Sequence, residues 1–165
     1  MLDRFRSWYE DAGVPIAIYQ SVAAKQLTCP LDINKRVYAV QAFNLLPEAA
    51  ALAAANKRVS NILNKQDGNV DDVINETLLD ASAEKTLAQA INQAKKEADP
   101  YFVEGNYTEG LKALAQLRKP IDAFFDDVMV MVENEALKQN RLALLQNIRS
   151  LFLQVADISF LAASK

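Results

Sequence analysis

Apolar residues recur every three or four positions along most of the chain, which is the spacing of one face of an α-helix. The repeat is clearest near the C-terminus and predicts a helix from about residue 135 to residue 161. Its apolar positions are Leu137, Leu144, Leu145, Ile148, Leu151, Phe152, Val155 and Ile158. Together with weaker repeats upstream, this predicts an all-α fold, with short leading helices in residues 1–44 and a helical bundle in residues 45–165.

Prolines and glycines separate the other predicted helices, because proline suits a first helical turn and glycine suits a helix end. Asp32 is the expected N-cap of one helix, and Asp99-Pro100 is the expected end of another. The acidic, irregular segment 67–82 predicts a surface connection or a partly helical insert. We expect helices at about residues 2–11, 15–25, 32–44, 46–65, 83–99, 107–118 and 120–132.

The composition excludes several kinds of functional site. Histidine is absent and Cys29 is the only cysteine, so zinc fingers and histidine-based catalytic arrangements lack their parts. A single cysteine cannot form an internal disulfide, which suits a reducing cytoplasm. No apolar run approaches the roughly 18–20 residues that a membrane-spanning helix needs. We therefore expect a cytoplasmic domain that has no zinc site or other metal site, no histidine-based catalytic site and no contact with a membrane.

One predicted helix carries a basic face that its own acidic residue does not neutralise. Placed on a helical wheel, five polar residues share an arc of roughly 120°, namely Lys57, Arg58, Asn61, Asn64 and Lys65. Glu48, the acid of this helix, lies on the opposite side. Lysine and arginine bind phosphates, and asparagine pairs with base edges that are accessible in single-stranded RNA loops. The pattern predicts an RNA-binding surface, and a solvated basic face is the alternative.

The charge distribution limits where RNA could bind. A net charge of −3 does not suit a protein that coats nucleic acid indiscriminately. Residues 1–66 carry 8 Lys/Arg against 5 Asp/Glu and are the net basic part of the chain. Lys35 and Arg36 lie in this part and extend the predicted RNA-binding surface, with a solvated pair as the alternative.

Several other polar residues have a structural interpretation. Asn56 lies on the apolar side of the basic helix, so we expect it to be buried and hydrogen-bonded. Arg141 falls on the apolar stripe of the last helix and must be paired there, because an unpaired buried charge is costly. Lys138 and Arg149 lie on the polar side of that helix, where they meet RNA backbone or water. The candidate partners of Arg141 are Asp122, Asp126 and Glu133.

Three blocks of sequence resemble one family. Residues 46–63, LPEAAALAAANKRVSNIL, resemble the opening helix of the C-terminal domain in bacterial glycyl-tRNA synthetase β subunits. The later parts of that domain resemble residues 100–131, PYFVEGNYTEGLKALAQLRKPIDAFFDDVMVM, and residues 140–159, NRLALLQNIRSLFLQVADIS. Upstream, LDRFRSWYEDAGV and PLDINKRVYAVQAF are similar to the region that precedes the domain. The resemblance leaves out about residues 66–84.

The resemblance implies a non-catalytic part of a longer β subunit. Its fold would be the helical bundle of the class I synthetase anticodon-binding type, similar to that domain in arginyl-tRNA synthetases. In this family two α and two β subunits join glycine to its tRNA using ATP, and the α subunit holds the adenylate-forming site. The implied partners are the anticodon stem-loop of glycine tRNA, the rest of the β subunit and the α subunit. ATP would be used elsewhere in the enzyme.

Two rival functions come from other classes. The first is a helical scaffold that docks onto other parts of the synthetase without contacting RNA. The second is a stand-alone helical enzyme, which the absence of histidine and of a convergent carboxylate pair disfavours.

Overall fold

The computed structural model of the chain describes residues 2–25, 29–66 and 70–163. Within these ranges the chain forms eight α-helices, three short 3-10 segments and no β-strand, which confirms the all-α prediction. The α-helices are α1 (Leu2–Asp11), α2 (Ile16–Ala23), α3 (Pro30–Asn44), α4 (Ala49–Asn64), α5 (Ser82–Val103), α6 (Tyr107–Leu114), α7 (Arg118–Asp127) and α8 (Glu135–Leu153). The 3-10 segments are Glu76–Leu78, Ala115–Leu117 and Ile158–Ala163. None of the described helices is by itself long and apolar enough to cross a membrane.

The helices pack around one hydrophobic core. Helix α5 lies against α6, α7 and α8, and α4 lies against α8 and the C-terminal 3-10 segment. Helix α3 packs on α6, so Val37 and Phe43 of the leading part share the core with Leu52, Phe124 and Phe152. The leading helices therefore rest on the rest of the bundle. The division between residues 1–44 and 45–165 stays a prediction.

Helix α4 has one buried and one exposed side. Leu52 and Val59 are completely buried, and Asn56 is 2% exposed. The Asn56 Nδ2 atom donates to the Leu52 carbonyl at 3.0 Å, which confirms the predicted buried hydrogen bond. Alanines are abundant in the first half of this helix, where they favour helix formation and leave little bulk on either side.

Two predicted helix ends are wrong for reasons of packing and first-turn geometry. Helix α3 begins at Pro30, which needs no hydrogen-bond donor in a first turn, so Asp32 lies inside the helix and is not its N-cap. Helix α5 runs through Pro100 to Val103. Proline removes one intrahelical hydrogen bond, but packing against the neighbouring helices compensates: Ala98 is completely buried.

The last helix ends earlier than the periodicity predicted. Helix α8 stops at Leu153, whereas the prediction extended it to about residue 161. The carbonyls of Gln154 and Val155 accept hydrogen bonds from Arg36 Nη1, at 2.5 and 2.8 Å. The final carbonyls of a helix lack partners within it, and here a side chain of α3 supplies them. The apolar repeat continues beyond the helix because the C-terminal 3-10 segment is also packed on the core.

The connection between α4 and α5 is mostly exposed. Residues 67–69 of the predicted acidic connection lie outside the described residues. From residue 70 the chain runs through one 3-10 turn, Glu76–Leu78, to Leu79, which is buried. Most side chains between 71 and 77 are exposed, so the predicted surface connection is confirmed for this part.

A buried ion pair joins α5 to α8. Arg141 is 8% exposed and Glu84 is completely buried. Arg141 Nε donates to Glu84 Oε1 at 2.5 Å, and Arg141 Nη1 donates to the Met129 carbonyl at 2.6 Å. The other Glu84 oxygen accepts from the N–H groups of Asp80 and Ala81, at 2.9 and 2.8 Å, and so caps the start of α5.

The predicted burial and pairing of Arg141 are confirmed, but the predicted partners are wrong. Glu84 takes the place expected for Asp122, Asp126 or Glu133. The spacing of apolar residues shows which side of α8 is buried. It does not show which helix lies against that side.

Removing the charge of Glu84 should destabilise the fold strongly. In Glu84→Gln, Arg141 stays buried without a carboxylate, so the free energy of unfolding should fall by about 3 kcal/mol. Urea denaturation followed by circular dichroism measures the change. In the control Glu10→Gln, the lost pair with Arg6 is exposed, and the expected change is below about 1 kcal/mol. Equal losses in the two variants would contradict a structural role for the buried pair.

Candidate nucleic-acid interface

The exposed side of α4 carries the predicted RNA-binding residues of that helix. These residues are all exposed to solvent, namely Lys57, Arg58, Asn61, Asn64 and Lys65. The ion pairs among the described residues include neither Lys57 nor Lys65. Carboxylates lie nearby, because Glu135 lines a cavity with Lys65 and Asp126 lines one with Arg58. The Asn64 amide reaches the Ser60 hydroxyl at 3.4 Å, a weak contact that a ligand can replace. All five side chains are thus accessible to a ligand.

At the start of α4, the surface near these cations has little side-chain bulk. At the other end of the helix, it forms a cavity. Ala50 and Ala54 are exposed near the start of α4 and add no bulk beyond Cβ. At the other end, Lys65 lines a cavity of about 530 Å³ together with Met131 and Lys138. Lys138 is loosely paired with Glu135, at 3.7 Å. The cavity thus places Lys65 near a second lysine, whose charge is partly offset by Glu135 of the same lining.

Arg58 differs from the lysines because a neighbouring helix orients it. Its guanidinium carbon lies 4.2 Å from the centre of the Phe125 ring on α7. A cation–π contact at an exposed site contributes about 0.5–1 kcal/mol and restricts the side chain to one place. The Phe125 ring is partly buried and packs against the core. Its second role, as the support of Arg58, depends on the packing of α7 on α4 and has no signal in the local sequence.

The side chain of Arg36 connects α3 to other segments of the fold through hydrogen bonds. Its side chain is 12% exposed, and Nε donates to Asp32 Oδ2 at 2.8 Å. Nη2 donates to the Tyr107 hydroxyl at 3.1 Å, and the guanidinium also lies 4.4 Å from the centre of that ring. Nη1 holds the carbonyls of Gln154 and Val155. All three nitrogens are engaged, so this geometry speaks against both the predicted RNA contact and the solvated alternative.

Lys35 is exposed, but on another part of the surface. Its Nζ lies beside Gly105, in the turn between α5 and α6, 3.7 Å from where a Cβ of that glycine would be. Gly105 has a φ of +76°, a conformation that favours glycine. Lys65 instead lines a cavity with Lys138 of α8, so Lys35 and Lys65 lie beside different helices.

The hydrogen-bond network around Arg36 includes two ionisable groups whose pKa values are shifted. Tyr107 donates its hydroxyl hydrogen to Asp32 Oδ1 at 2.5 Å. Burial raises the pKa of Tyr107, and the hydrogen bond to Asp32 raises it further. Burial also acts to raise the pKa of Asp32, but hydrogen bonds from Tyr107 and Arg36 outweigh it and hold this pKa below its usual value. The network therefore contains an ionised carboxylate and a neutral phenol at neutral pH.

For Arg149, the sequence allowed a contact with either RNA backbone or water. In the structure its side chain is instead paired within the fold. Its Nη2 atom lies 3.2 Å from Asp157 Oδ2, and its side chain is 21% exposed. This pair links the end of α8 to the chain that follows it. The structure thus separates the arginines that tie helices together from the lysines of α4, which face solvent.

The fold and this surface together define a helical domain with an exposed basic helix. Residues 52–158 match the model of the DALR anticodon binding domain, and the chain belongs to this family. The matched part contains all of the exposed cations of α4. Lys35 and Arg36 precede it.

Curated relatives share most of this chain. It is 55% identical over 161 residues to the glycine–tRNA ligase beta subunit of Vibrio cholerae, covering 98% of this chain and 23% of that protein. The beta subunit from Vibrio atlanticus gives the same identity and coverage. That of Marinobacter nauticus is 51% identical over 162 residues, again with 98% and 23% covered. The resemblance seen in the sequence is confirmed, and the chain spans about a quarter of the length of these relatives.

Replacing Arg36 should cost stability even if its charge is kept. A lysine in Arg36→Lys cannot bond Asp32, Tyr107 and two carbonyls at once, so the free energy of unfolding should fall by about 2 kcal/mol. Urea denaturation measures this loss. The exposed neighbour offers a control, since Lys35→Gln should change stability by less than about 0.5 kcal/mol. If Arg36→Lys is as stable as the parent but binds RNA more weakly, then Arg36 contacts RNA and does not mainly stabilise the fold.

The lowered pKa of Asp32 predicts a pH-dependent contribution to stability. Because its pKa is below the usual 3.8 in the folded state, ionised Asp32 stabilises the fold above that pH, and the contribution is lost as pH falls through the lowered pKa. Asp32→Asn should therefore be less stable than the parent at pH 7, and the difference should shrink toward about pH 3. Denaturant titrations at both pH values test this. A difference that is independent of pH would show that Asp32 acts without its charge.

Proposed function

We propose that this chain binds the anticodon stem-loop of glycine tRNA through the exposed side of α4. The observation that carries the proposal is the pair of exposed lysines, Lys57 and Lys65, which form no ion pair with the described residues. They lie within the part that matches the DALR anticodon binding domain. The relatives' name, glycine–tRNA ligase beta subunit, supports glycine tRNA as the ligand.

The side chains divide into two roles. Lys57, Lys65 and Arg58 contact phosphates, since long cationic side chains neutralise the RNA backbone without reading its sequence. Arg58 does so through its N–H groups, which leaves the face of its planar guanidinium free to meet a base. Asn61 and Asn64 lie between the lysines and offer both a donor and an acceptor to base edges. Bases in a loop are unstacked and expose these edges, whereas the major groove of an RNA duplex is too narrow to admit side chains. A loop is therefore the part of the tRNA that suits this surface.

The proposed interface leaves out Lys35 and Arg36. Arg36 is occupied within the fold, and Lys35 lies beside the α5–α6 turn, whereas Lys65 lies beside α8. This narrows the predicted set of contacts to one helix. It also makes the number of phosphates contacted small, so the salt dependence of binding should be modest.

We further infer that the chain contributes binding and not catalysis to a glycine–tRNA ligase. It spans 23% of the length of its relatives, which leaves most of the ligase outside this chain. Its partners would be the rest of the β subunit and the α subunit. ATP would be used in those other parts of the enzyme. A cytoplasmic location follows from a role in protein synthesis.

Removing both lysines should weaken RNA binding and its dependence on salt. In Lys57→Ala/Lys65→Ala, two phosphate contacts are lost at about 0.7–0.9 each, so the slope of log K against log salt should fall by about 1.5. Fluorescence anisotropy with a labelled glycine tRNA anticodon stem-loop, at several salt concentrations, measures affinity and slope. A stem-loop with a different anticodon tests specificity.

The control for this variant removes the same charge elsewhere. Lys95 and Lys96 are exposed on α5, and Lys95→Ala/Lys96→Ala should leave the slope nearly unchanged. If the two double variants behave alike, the α4 face is not the binding surface. If the parent chain binds neither stem-loop at low salt, the scaffold function replaces the proposal.

A further inference from the structure

A shallow cavity lies between α4 and α7, directly beside the basic face. Its volume is about 380 Å³, and it opens to solvent. It is lined by Ala51, Ala54, Ala55 and Arg58 of α4 and by Asp122, Phe125 and Asp126 of α7. The alanines have no atoms beyond Cβ, so α4 leaves the space unfilled. The cavity thus combines an apolar floor, one guanidinium and two carboxylates.

The planar guanidinium group of Arg58 lines this cavity and is held in place by Phe125. Its guanidinium carbon lies over the Phe125 ring, 4.2 Å from the ring centre. Arg58 is exposed and makes no ion pair with the described residues, although two carboxylates line the same cavity. Unstacked RNA bases commonly stack on guanidinium planes. A plane fixed on one side by an aromatic ring offers its other side to such a base.

Asp126 supplies a free hydrogen-bond acceptor at the rim. Its carboxylate is exposed and forms no hydrogen bond or ion pair with any other described side chain, whereas Asp122 lies 3.7 Å from Arg118. A carboxylate repels phosphate but accepts hydrogen bonds from the exocyclic amino group of a base. Lys57, on the adjacent exposed face of α4, attracts the backbone instead. This charge arrangement directs a base into the cavity and its phosphate toward the lysines.

We infer that the α4–α7 cavity receives one unstacked nucleobase, which stacks on Arg58 and donates its exocyclic amino group to Asp126. Cytosine, adenine and guanine carry such a group and uracil does not. The inference rests on the proposed function, because it places a loop nucleotide of the same RNA next to the α4 lysines. It also gives this phosphate-binding surface one residue of α7, Asp126, that determines which bases are bound.

The test removes the amino group from the RNA and the charge from the protein. In the glycine tRNA anticodon stem-loop, each loop cytosine is changed to uracil, each guanine to inosine and each adenine to purine, one at a time. At one loop position the change should weaken binding to the parent chain about tenfold. In Asp126→Asn, the ratio of the two affinities at that position should fall below about twofold, since an amide no longer presents a charged acceptor.

A neighbouring residue gives a matched control. Asp127 is exposed, carries the same charge and does not line the cavity. Asp127→Asn should strengthen binding of all the RNAs equally, because it only reduces repulsion of the backbone, and should keep the tenfold ratio. Circular dichroism of both variants checks that α7 is intact.

The outcomes separate the two claims. If Asp126→Asn keeps the ratio, or if no loop substitution weakens binding to the parent, the cavity does not receive an amino-bearing base and the inference is overturned. The proposed function then still stands, provided that the Lys57→Ala/Lys65→Ala variant shows the expected decrease in the slope of log K against log salt. If the parent chain binds no stem-loop at all, both claims fail.

Discussion

The carboxylate of Glu84 ties together parts of the chain that are far apart in sequence. One oxygen caps the start of α5, and the other pairs with Arg141 on α8. Arg141 in turn holds the Met129 carbonyl in the segment between α7 and α8. Burying two charges is costly, and here the cost is offset because the hydrogen bonds converge on one carboxylate. Helix α4 packs on α8 and α7, so the position of its exposed side depends on this arrangement.

The fold uses its two kinds of basic side chain differently. Arg36 and Arg141 lie inside, where a planar group with several donors can satisfy carbonyls and carboxylates at once. The lysines of α4 remain in solvent, where a flexible point charge suits a mobile polyanion. Arg58 combines both properties, since it is exposed and yet held by an aromatic ring. A count of basic residues along the chain does not reveal this difference.

Local patterns in the sequence predicted the local features of the structure. The helical repeat indicated the all-α fold, the buried side of α4 with its Asn56 hydrogen bond, and the burial of Arg141. Contacts between distant segments were not predictable. The partner of Arg141, the bonds of Arg36 to Gln154 and the support of Arg58 by Phe125 all depend on how helices pack, and no spacing along one helix encodes that. The same limit applies to the proposed site, in which the helical repeat indicated α4 and only the packing of the helices indicated α7.

The alanines of α4 give this domain an adjustable recess. Ala54 is exposed at the edge of the α4–α7 cavity, and the helix there needs nothing from its side chain beyond Cβ. A longer residue at that position could fill the recess from outside while leaving the packed interior as it is. One solvent-facing position thus governs how much room a visiting molecule finds, and related domains could differ in what they admit while sharing the same framework.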